Sequence, residues 1–72
     1  MIITINKKQT LLEGLDPALG QAVLATRHVY DFGMVGYQVF GSELISVGAD
    51  ESWFDENYRY TFLEEDCTVI KE

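Results

Sequence analysis

Asp50, Glu51, Asp55, Glu56 and Asn57 put five oxygen-bearing side chains within eight positions, the density a hard cation would need. Their order does not fit the calcium loop of the helix–loop–helix type, which wants acids at alternating positions, glycine at the sixth and glutamate at the twelfth. The ordinary reading of such a run is a solvated acidic loop, and no metal is expected there. Zinc fares no better, because the single histidine, His28, and the single cysteine, Cys67, lie far apart in sequence. Base catalysis would fall to His28, yet no serine or cysteine stands in a nucleophile context near it. Gly41-Ser42-Glu43 lacks the second glycine of a nucleophile elbow. No glycine-rich phosphate loop of either kind occurs. Arg27 and His28 are expected simply to favour the C-terminal end of a helix. The chain reads as a non-enzyme without a cofactor.

Cys67 excludes an internal disulfide and with it a disulfide framework. It follows Glu64, Glu65 and Asp66, whose negative charge raises a thiol pKa, so a small buried hydrophobe is expected there rather than a reactive group.

The strongest signal is uneven charge. From Asp50 to Glu72 stand eight carboxylates against two cations, a balance of −6 out of the total of −7. Trp53, Phe54, Tyr58, Tyr60 and Phe62, five of the nine aromatic residues, share that stretch. Charge asymmetry speaks to partners and solubility rather than to fold. An acidic surface is repelled by nucleic-acid phosphates and anionic lipid, so neither nucleic acid nor membrane is expected as a direct partner. No run approaches the ~20 apolar residues of a bilayer span, and Met1-Ile2-Ile3-Thr4-Ile5 is too short for a signal-peptide core. The expected location is the cytoplasm.

These residues need elements to hold them. The 72 residues, 47 % of them hydrophobic, suit one compact domain over 1–72 of modest stability. Ile-rich Met1 to Asn6 reads as a strand, Asn6-Lys7-Lys8 as a turn, and Gln9 to Leu12 as a short returning strand. Asp16-Pro17 is a helix start, with Asp to cap and Pro at the first helical position. Leu19, Ala22, Val23, Thr26 and Val29 then recur at helical spacing, so an α-helix is expected over about 17–30, ended by Gly33. Met34 to Phe40 alternates as a strand, Gly41-Ser42 resembles a hairpin turn, and Glu43 to Val47 would return. Tyr58 to Leu63 and Cys67 to Lys71 read as strands joined by Glu64-Glu65-Asp66.

The expected fold class is therefore α+β, with one helix on a mostly antiparallel sheet of four or five strands. Leu11-Leu12-Glu13-Gly14-Leu15, Arg27, Tyr30 and Asp66-Cys67-Thr68 together resemble the frame of plant-type two-iron ferredoxins. That resemblance implies a β-grasp arrangement. The family's cluster cysteines would fall at Thr26, Asp31 and Met34, so no iron cluster is expected here.

Tyr58, Tyr60 and Phe62 alternate and so share one face of a strand. Five rings in ten residues exceed what one short strand needs for packing. Tyr60 and Phe62 are expected in the core, with Trp53 and Tyr58 as surface anchors. The acids could act as an array of negative charge that occupies a basic groove. The expected function is a small acidic, non-catalytic protein-binding module. It would inhibit or modulate a nucleic-acid-handling protein by charge mimicry, in the manner of a phage or mobile-element protein. Its partner would be another protein with a basic surface, met through Trp53, Asp55, Glu56, Tyr58, Glu64, Glu65 and Asp66. The alternative is a structural or assembly subunit that self-associates through a sheet edge or apolar patch, so the chain would be a monomer or a homodimer.

Overall fold

A computed structural model describes residues 1–7 and 12–72. Among the described residues, six strands form two antiparallel three-stranded sheets. Strands β1 (Ile2–Ile5), β2 (Ala22–Leu24) and β6 (Cys67–Lys71) make the first, in the order β2-β1-β6. Strands β3 (Thr26–Val29), β4 (Val35–Phe40) and β5 (Arg59–Leu63) make the second, in the order β3-β4-β5. Only Ala25 separates β2 from β3, and a single 3-10 turn, Glu64–Asp66, separates β5 from β6. The chain thus crosses between the sheets twice, and their inner faces share one core.

Period-two alternation explains the strands that match expectation. Ile3 and Ile5 of β1, Tyr37 and Val39 of β4, and Phe62 of β5 point inward and are buried. Phe62 is 1 % exposed, while its strand neighbours Arg59, Thr61 and Leu63 face water. Register couples β4 to β5 within the second sheet, since Tyr37 lies opposite Phe62 and Val39 opposite Tyr60. Cross-strand pairs of large apolar residues are the units that stabilise such a sheet.

The expected helix over 17–30 does not form. Asp16-Pro17 begins only a 3-10 turn, Asp16–Ala18, and Gly20 with φ +77° turns the chain away. The next residues bury at period two, with Val23 and Ala25 inside and Ala22, Leu24 and Thr26 outside. Pairing of β2 with β1, and of β3 with β4, overrides a weak helical preference carried by Ala, Leu and Gln. The α-helix stands elsewhere. Gly41–Ser46 forms α1, six residues long, where a turn and a returning strand were expected. Its Leu44 is fully buried, and Glu43 accepts a 3.0 Å hydrogen bond from the Leu24 N–H, which closes the outer edge of β2.

The single sheet of four or five strands under one helix is therefore replaced by two smaller sheets, and the order βββ-β-α-ββ is not that of a β-grasp. The expected strand over Gln9 to Leu12 falls largely outside the described residues. Among the described residues no helix is long and apolar enough to cross a membrane.

Candidate functional site

The segment from Asp50 to Tyr58, between α1 and β5, holds most of the residues singled out by charge and aromaticity. Its shape comes from local hydrogen bonds. Asp50 accepts from the Ser52 N–H at 2.9 Å and from the Ser52 hydroxyl at 2.7 Å. Those bonds, the side-chain one foremost, hold the Asp50 carboxyl below the usual carboxylate range by stabilising its charged form. Asp55 accepts from the Asn57 N–H at 2.8 Å, a second aspartate-stabilised turn. Backbone bonds tie the segment down at both ends. Gly41 N–H donates to Tyr58 O at 2.8 Å and Ser42 N–H to Glu56 O at 3.1 Å, while Asp50 N–H donates to Gly14 O at 3.0 Å.

The rings are sorted by this framework. Phe54 is buried and meets Tyr60 edge-on with centroids 5.0 Å apart. Tyr60 in turn accepts from the Asp55 N–H through its hydroxyl, at 2.9 Å. Tyr58 packs edge-on against Tyr60 at 4.9 Å yet stays 61 % exposed. Trp53 is 53 % exposed, with its indole laid over Gly14. A Cβ on Gly14 would come within 2.7 Å of the Asp50 Cβ and 3.2 Å of the indole Cδ1, and Gly14 itself has φ +85°. Trp53 and Tyr58 therefore each present a half-open aromatic surface anchored at its base.

Beside them lies an open notch of about 480 Å³, lined by Ile45, Glu51, Ser52, Phe54 and Glu56. Ile45 and Phe54 supply an apolar floor, and Glu51 and Glu56 supply a carboxylate rim. This is the form that takes a long cationic side chain, whose methylene stem wants apolar contact and whose head wants negative charge. Ile45 was not singled out by sequence, and Glu51 only as part of the acidic run and not as a partner contact. Ile45 reaches the notch only because Gly41–Ser46 is helical, which its pattern did not disclose.

Of the seven residues singled out, Trp53, Asp55, Glu56 and Tyr58 share this region and are exposed. Glu64 and Glu65 are exposed too, but they sit beyond the other end of β5. Six strand steps at ~3.3 Å set them roughly 20 Å from Tyr58. The acids thus form two groups joined by one edge strand, not a single patch. Asp66 leaves the set altogether. It is 7 % exposed, with its carboxylate 4.0 Å from Lys7 Nζ, so it serves the junction between the sheets instead of an outer surface. Arg59, between the two acidic groups, is stacked over the Phe40 ring at 5.0 Å.

No cluster of three or more potential metal-binding side chains is found among the described residues. Cys67 is half-buried, and burial first, then the Asp66 charge, pushes its thiol up to about 11. Alkylation by iodoacetamide at pH 8 is accordingly expected to run about a hundredfold slower than for an unperturbed thiol, in proportion to the thiolate fraction. A rate close to that of free cysteine, followed by thiol titration, would contradict this placement.

No family model, curated protein or solved structure matches this chain.

Proposed function

We propose that this protein is a small acidic, non-catalytic binding module that occupies the basic, nucleic-acid-binding surface of another protein and so modulates it. The observation that carries this reading is the notch, where Glu51 and Glu56 rim an apolar floor next to exposed Trp53 and Tyr58. A lysine or arginine of the partner would lay its stem on Ile45 and Phe54 and its charge between the two carboxylates. Glu64 and Glu65 would meet a second basic group, roughly 20 Å from Tyr58 along β5. Long-range attraction from the net charge of −7 would speed encounter, and the rings would slow release.

The test begins with capture from a lysate of the source cells, using the wild-type chain and a Glu51→Gln/Glu56→Gln variant as parallel baits. A protein held by the wild type, weakened about tenfold with the variant and displaced by its own nucleic acid, is the expected result. Equal retention by both baits, or simultaneous binding of nucleic acid, would defeat the reading.

A further inference from the structure

A second surface lies on the opposite edge of the second sheet, at β3. All four residues of β3 are exposed, and among the described residues no strand lies on its outer side. The hydrogen-bond phase of that edge follows from the hairpin. Tyr30 N–H donates to Met34 O at 2.7 Å, so the paired positions Tyr30, His28 and Thr26 direct their backbone groups toward β4. Arg27 and Val29 then direct N–H and C=O outward. These two residues flank His28 symmetrically, and an open edge of this phase is a template for its own copy.

The hairpin tip adds a second feature. Phe32, between Asp31 and Gly33, has φ +66° and ψ +18°, and its ring is fully exposed. A bulky residue in left-handed backbone is uncommon and is found where a local conformation serves a function. Glycine would serve the turn at less cost, so the exposed ring is not explained by the turn alone. Near the other end of β3 lies a hollow of about 390 Å³, whose lining includes the exposed Leu24 and Phe40 with Thr26 and Glu43.

We propose that the protein forms a two-fold homodimer by antiparallel pairing of β3 with β3 of a second copy, each Phe32 seating in the hollow beside Leu24 and Phe40 of the other. A two-fold axis at His28 pairs Arg27 with Val29 of the second copy and completes the outward backbone bonds of both. The same register carries Phe32 past the end of the second copy's β3, to the position where Leu24 stands. It also sets Arg27 diagonal to Asp31 of the second copy, twice by symmetry, within the reach of a long side chain. Charge favours this edge over the opposite one. β3 has a cation and no carboxylate, and it lies on the far side of β4 from β5 and the acidic segments that flank β5. Two chains of −7 meeting here keep apart the acidic segments that flank β5, leaving Asp31 and Glu43 as the carboxylates near the contact. The surface is distinct from the notch, and the inference stands whether or not the reading of the notch holds.

Sedimentation velocity of the full chain, from low to about 100 micromolar, decides it. The wild type is expected to shift from monomer to dimer over that range. Phe32→Gly should weaken the dimer by at least about tenfold while unfolding at the same or a higher temperature, since glycine relaxes the left-handed turn. Val29→Lys, a charge on the edge, should weaken it similarly. A wild type that stays monomeric throughout, or a dimer that survives both substitutions, would overturn the proposal.

Discussion

A Gly41→Ala variant is expected to lose about 3 kcal/mol of stability or to fail to fold, the largest effect of any single methyl group in this molecule. Gly41 is buried at the junction of β4 and α1, and a Cβ there would collide with the backbone carbonyl of Asp55 and touch the Tyr60 ring. The obstruction is main chain, so no side-chain rotation relieves it. The segment would have to withdraw, breaking the bonds from Gly41 to Tyr58 and from Ser42 to Glu56. In a domain of this size, whose whole stability is of order 5 kcal/mol, such a loss leaves little. Urea unfolding followed by tryptophan fluorescence measures it, because Trp53 reports on the displaced segment. A midpoint within experimental error of the wild type would show that the close approach does not exist.

Trp53→Ala should do the reverse, leaving the fold largely intact while removing most of the affinity for a protein partner. Half of the indole is already in water, and Trp53 is not part of the buried core. Truncation is expected to cost only about 1 kcal/mol of stability for the contact with Gly14. In a complex the remaining face would be covered, and a buried tryptophan anchor is commonly worth 2 kcal/mol or more, a loss of roughly thirtyfold in Kd. The loss should persist at high salt, since it removes an apolar contact. Calorimetric titration of the captured partner at two ionic strengths separates this from the carboxylate contribution. Undiminished binding by Trp53→Ala would remove the indole from the interface.

Why some of this was legible in the sequence and some was not follows from the kind of information each element carries. β4 and β5 alternate apolar with polar residues, β1 is marked by its isoleucines and β6 by the acidic turn before it, and a one-residue slip would expose Ile3, Val39 or Phe62. Their pattern suffices to find them. The span from Ala22 to Val29 has helix-compatible composition, and its strand state is imposed by partners distant in sequence, Ile3 for Val23 and Tyr37 for Arg27. Nothing local records those partners. The short helix Gly41–Ser46 has no side-chain cap and only a turn and a half in which to show its period, so it passed for a hairpin.

The site divides along the same line. The exposure of Trp53 and Tyr58 beside a buried Phe62 and a half-buried Tyr60 follows from the surplus of rings over strand positions, whereas the burial of Phe54 was not foreseen. The distance between Glu56 and Glu64 was not, because proximity in sequence hides the fact that an extended strand separates them. Asp66, third in a run of three acids, turned inward because it closes the passage between sheets next to Lys7. Phe32 could have been noticed. Asp-Phe-Gly between two alternating runs is a tight-turn sequence with one residue too large for its place.

A partner drawn by the carboxylates at the notch is the central expectation. Its most direct measurement is the salt dependence of that partner's affinity for the wild type and for Glu51→Gln/Glu56→Gln. The wild type should bind more weakly as salt rises, with a logarithmic slope that becomes shallower when both charges are removed. Parallel lines for the two proteins, or an affinity indifferent to salt, would contradict it.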